Sequence, residues 1–336
     1  MKRQVWFFLL LAYAFTWLVW VTAGMFGVGP DHGEYFAAFG TAGPALAAIF
    51  LSRQGQGEIT EPLSVRVFSF TILWLFAWAI YVANDKLRGI HVPTSVLYYS
   101  VVGLLAMIPA WILSGAFTRD PGVRKSIDTL VHPGNWRWQA ISFFFWPAVL
   151  LIPAGIARVF HGQLVMPEPH GVGWMSAAFG GIYFLNNFLF TAALEEPGWR
   201  GYLLPQLQQR FSPLLASLLV WLPWALWHAP LDFHRPFRFA LVQYLLIRVV
   251  FLIPISIILT WFYNRSGANV LTVAIFHAAM NTFPFVLPYY APAMGLVILF
   301  AGIIVVADRM WLRRTILADL SATDRDTSQS SQSVSG

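Results

Sequence analysis

Apolar runs long enough to cross a bilayer recur along nearly the whole chain, and no other feature of the sequence restricts the fold as strongly. A run of about 18 residues or more forms a helix near 30 Å long, which matches the hydrocarbon thickness of a membrane. Ten apolar segments are predicted, at about 5–28, 36–52, 66–83, 95–117, 139–157, 176–208, 213–231, 239–262, 268–287 and 291–308. Lipid cannot satisfy free backbone N–H and C=O groups, and the short alternating segments of a membrane barrel are absent, so helices suit all ten. The expected fold class is therefore all-alpha, a polytopic transmembrane helical bundle of about 8–10 spans with an intramembrane polar cavity.

Composition agrees with this class: 58% of residues are hydrophobic and 11% charged, with a mean hydropathy of +0.63. Such a chain cannot cover a soluble globule with charge. Trp6, Tyr35, Trp136, Trp138 and Trp311 sit near segment ends, where amphipathic rings favour the headgroup layer. The absence of Cys removes disulfides, thiolate catalysis and cysteine metal ligands. The basic residues are spread thinly over short connections, with an excess on the side of the N-terminus. This pattern speaks of topology, with both termini inside, and excludes nucleic acid as the expected partner. The first run exceeds an ordinary signal-peptide core and no clear cleavage site follows, so it is expected to stay as the first span.

Residues 1–173 are expected to supply N-terminal transmembrane segments, 174–314 a helical core that carries the embedded ionisable residues, and 315–336 a disordered polar tail. Within the apolar segments, Glu195 and Glu196 are the most deeply embedded acidic pair, with Arg200 close behind them, and His228 and His277 are the embedded imidazoles. Ionisable groups in a bilayer are costly and face a bundle interior or a cavity, which makes them functional candidates.

Helical rise allows a test of depth. With a turn at Phe211 to Pro213, Glu195 lies about 24 Å back along one helix and His228 about 22 Å along the next. Counted from Ala268, His277 and Asn281 lie about 14 and 20 Å deep, and their i, i+4 spacing puts them on one face. One polar layer can hold all four. A carboxylate and two imidazoles supply a base, an acid and an electrostatic donor, the parts needed to hydrolyse an amide. Taken singly, each residue also fits a structural reading, as an intramembrane ion pair with Arg200 or as a core hydrogen bond.

Three motifs carry a resemblance. EEPGWR from Glu195 to Arg200 resembles the E-E-x-x-x-R motif of the CAAX-prenyl protease and bacteriocin-processing family of intramembrane proteases. WALWH ending at His228 resembles its aromatic-x-x-x-H motif, with Trp224 where many members have Phe, and HAAMN from His277 to Asn281 matches H-x-x-x-N. The resemblance covers roughly 174–290. It implies an intramembrane endopeptidase in a bacterial plasma membrane, acting near the C-terminus of a peptide or protein, with or without a lipid on it, and with membrane lipid as its surroundings.

By that resemblance Glu195 activates water with His228 assisting, His277 and Asn281 stabilise the oxyanion, and Glu196, Arg200 and Trp224 support them. No cofactor is favoured. Zinc on Glu195, His228 and His277 is the competing mechanism, though the H-E-x-x-H pattern is missing. A transporter with Arg248 in its pathway, or a non-catalytic scaffold, are the readings outside proteolysis; no inverted repeat supports the former.

Overall fold

The computed structural model describes residues 3–25, 37–53, 63–88, 96–117, 127–132, 134–160, 162–165, 174–232, 241–242 and 244–313. The predicted tail 315–336 and the interfacial position of Tyr35 fall outside them. The helices are α1 (Arg3–Met25), α2 (Gly43–Arg53), α3 (Leu63–Leu87), α4 (Val96–Ser114) and α5 (Trp136–Val159), followed by the composite run α6 (Ala177–Gln208). Then come α7 (Pro213–Trp227), a second composite run α8 (Tyr244–Arg265), α9 (Val270–Thr282) and α10 (Met294–Ala307). Among the described residues no strand occurs, only a lone antiparallel bridge between Val165 and Tyr289.

Seven helices among the described residues are long and apolar enough to cross a membrane, and the two apolar helices that close the chain are shorter. The protein is an integral, multi-pass membrane protein. Its lipid-facing surface is apolar, with Leu18, Phe68 and Ile152 exposed by 67, 69 and 62%. Trp6 and Trp136 stand exposed at helix ends as expected, whereas Trp138 packs edge-on against Trp261 at 5.4 Å.

The second predicted segment departs from expectation. It folds as α2, an 11-residue helix only about 16 Å long, too short to cross. Instead α2 is buried against α1 and against the middle of α6. Small residues permit this: Gly43, Ala45, Ala47 and Ala48 are all buried, which lets backbones approach closely.

Local signals set the helix starts near the site. The Ser212 side chain accepts from the Leu215 N–H at 3.3 Å and Pro213 occupies the first position of α7, as the turn at Phe211 to Pro213 predicts. Asn269 caps α9 by accepting from the Thr272 N–H at 2.9 Å, while its amide donates to the His132 carbonyl and ties α9 to the segment before α5.

Candidate active site

The centre of α6 is not a regular α-helix. A wider π turn at Phe188–Ala192 leads into one α turn, Ala193–Glu196, and a second π stretch runs from Pro197 to Leu203. Pro197 has no N–H to offer the carbonyl four residues back, so the ladder must change register there. π segments of this kind are frequent at functional sites. The single α turn between them holds both glutamates, and successive helical residues diverge by about 100°, so the two carboxylates meet different partners.

Glu196 faces Arg200 and His277. The Arg200 NH1 group donates to both carboxylate oxygens, at 3.1 and 3.2 Å, and Nδ1 of His277 lies 2.6 Å from Oε1. Glu196 and Arg200 are wholly buried. Arg200 is four residues beyond Glu196 and five beyond Glu195. The guanidinium also lies 4.3 Å from the centre of the Trp224 ring, whose electron-rich face supports the cation where Nε and NH2 find no acceptor among the described residues.

Glu195 faces Trp224 instead. The indole N–H donates to Oε2 at 2.8 Å, and the carbonyl of the same Trp224 accepts from Nδ1 of His228 at 2.8 Å. A carbonyl oxygen can only accept, so the proton of neutral His228 sits on Nδ1 and the lone pair on Nε2. Trp224 thus fixes the carboxylate with its side chain and the imidazole with its main chain.

That main chain is itself held. The last carbonyls of a helix lack partners within it, and at the end of α7 side chains from other helices supply them. Tyr13 donates to the Pro223 carbonyl at 2.5 Å, Tyr244 to Ala225 at 3.2 Å and Trp17 to Trp227 at 3.0 Å. Two of these three donors come from α1, which carries none of the sequence motifs.

Glu195, His228, His277 and Asn281 all line one cavity of about 290 Å³. The predicted polar layer therefore exists, built from α6, α7 and α9. Glu195, His228 and His277 are 2, 7 and 2% exposed, so it is a sheltered layer. Trp20, Asn186, Thr191 and Arg248 complete its polar and aromatic wall. Asn186 and Thr191 are polar residues within an apolar run and were visible in the sequence; Trp20 gives no such signal. His277 differs from expectation in one respect: its Nδ1 belongs to Glu196, so only Nε2 remains for anything in the cavity.

The metal reading does not fit these positions. Among the described residues no three His, Cys, Asp or Glu side chains converge so as to hold an ion, and His277 is turned onto a carboxylate that is already paired with Arg200.

Residues 177–283 match the family described as "Type II CAAX prenyl endopeptidase Rce1-like". Over 152 residues the chain is 31% identical to CAAX prenyl protease 2 of Methanococcus maripaludis, an alignment that spans 44% of this chain and 55% of that protein. The matched region encloses all three motifs, and the resemblance read from them is borne out.

Proposed function

We propose that the protein is an intramembrane endopeptidase that hydrolyses a peptide bond near the C-terminus of a peptide or protein substrate, by water activated between Glu195 and His228. One observation carries this reading: Trp224 holds both groups at 2.8 Å, one from each end of the residue, at the wall of one cavity. Preorganisation of this kind is what general-base catalysis requires. The family match and the relative's name support a substrate that is a C-terminal, lipid-modified peptide, in the membrane of the cell that makes it.

In the proposed reaction Glu195 takes a proton from water as the oxygen attacks the scissile carbonyl carbon, with Nε2 of His228 orienting the water. The carbonyl oxygen becomes an oxyanion, which accepts from the Asn281 amide and from Nε2–H of His277. Collapse breaks the C–N bond. The proton held by Glu195 passes to the leaving amine, and the products are a carboxylic acid and an amine, which leave as carboxylate and ammonium once the acid proton is exchanged.

The test is a peptide-cleavage assay in liposomes with the wild type, Glu195→Gln and His228→Ala, beside termini proteomics on membranes with and without the protein. New termini that vanish with Glu195→Gln support the reading. Full turnover by Glu195→Gln, or no protein-dependent terminus at all, rejects it.

A further inference from the structure

Arg248 is the feature that this chemistry leaves unused. It lies in the π stretch Tyr244–Phe251 at the start of α8, half-buried at the cavity wall that Glu195 and His228 also line. A guanidinium held at this depth is costly unless it meets an anion or water. The other cation at the site, Arg200, is wholly buried and committed to Glu196, so it cannot reach a ligand without breaking that pair. Arg248 already has a partner within the protein, yet five N–H donors leave it the capacity to hold a carboxylate as well.

We propose that Arg248 binds the free C-terminal carboxylate of the substrate, so that the enzyme measures its cut from the end of the chain. The inference rests on the proteolytic reading above and specifies the substrate of the same cavity. A space of about 290 Å³ is at the lower end for ligand sites, which run from about 300 to 1,000 Å³. It is of a size to take the last few residues of a peptide. A substrate that ends inside brings its terminal carboxylate into a poorly solvated wall, where an unpaired anion would be strongly disfavoured. Guanidinium matches carboxylate through two parallel hydrogen bonds, and Arg248 is the guanidinium lining the cavity among the described residues.

The probe is a farnesylated peptide ending in Cys-Val-Ile-Met, prepared as the free acid and as the C-terminal amide, with thermal unfolding as the control for each variant. The wild type should cleave the acid with a kcat/KM roughly 10- to 100-fold above that for the amide, as expected for one lost charge-assisted contact. Arg248→Gln should cleave both peptides alike, at the wild-type rate for the amide, and Arg248→Lys should keep part of the preference. A structural role for Arg248 would lower both rates and leave their ratio. Equal cleavage of acid and amide by the wild type overturns the inference while leaving the protease standing, as does a wild-type ratio in Arg248→Gln or Arg248→Lys unchanged from the parent. Failure of the folded wild type to cut either peptide removes the proteolytic reading, and the inference with it.

Discussion

Nδ1 of His277 lies 2.6 Å from Oε1 of Glu196, the carboxylate that Arg200 already holds. The two motifs that contribute these residues are some eighty positions apart, and the contact makes Glu196 an anchor for α9 as well as for its own helix. It also orients His277. With Nδ1 turned onto that carboxylate, Nε2 is the ring nitrogen left for the cavity.

Glu195→Gln should keep the folded protein and lose hydrolysis. The amide preserves size and can still accept from the Trp224 indole, but it cannot take a proton from water. A general base contributes about 10²- to 10⁴-fold to rate, and a loss of that order in kcat is expected in detergent or liposomes, with an unfolding midpoint close to that of the parent.

Trp224→Phe keeps an aromatic ring over Arg200 and removes the N–H that fixes Glu195. The main-chain bond to His228 survives. The expected outcome is a fall in kcat of at least about tenfold, in line with roughly 1.5–3 kcal/mol for a hydrogen bond to a charged group. Unchanged turnover would show that Glu195 is positioned by other contacts.

Arg200→Ala and Glu196→Gln should act first on stability. Each leaves its partner buried without its counter-charge, a change that costs about 3–5 kcal/mol when a buried pair is broken. The double replacement Glu196→Gln with Arg200→Met should be less damaging than Arg200→Ala alone, since it removes both charges. Thermal unfolding in a single detergent ranks the three. A double variant worse than either single change would mean that the pair is not the main contribution.

Gly198→Ala should destabilise the bundle because α2 lies directly over that position. A methyl group there would come within 2.5 Å of the Pro44 backbone carbonyl as well as its side chain. Overpacking of this kind costs about 1–3 kcal/mol. Trimming Pro44 to Ala should not restore the midpoint, since main-chain atoms are part of the clash.

Segment positions and the four cavity residues were legible from apolar run length, helical rise and three short motifs. Which glutamate Arg200 pairs with was not legible, because the stretch from Pro197 to Leu203 is a π turn in which regular helical spacing does not decide. Register changes at Phe188–Ala192 and Pro197–Leu203 were not legible, except that Pro197 signalled a disturbance: a run apolar on all sides has no polar face from which a change of register can be read. The role of α2 was hidden for a related reason, because an apolar segment spells burial without saying whether lipid or protein does the burying. The contributions of Tyr13, Trp17 and Trp20 were hidden because aromatic residues near a membrane surface have a more general explanation.

The bonds from Tyr13 and Trp17 to the end of α7 each join residues 210 positions apart. Ribosomes add about 5–20 residues per second, so α1 enters the membrane and then waits about 10–40 s for the helix end that it will hold. Trp20, on the same helix, is the first piece of the cavity wall to be made and cannot pack against Trp227 until α7 arrives. Assembly of the cavity is therefore timed by translation, and a growing chain has no finished cavity while most of its own helices are still being laid into the bilayer.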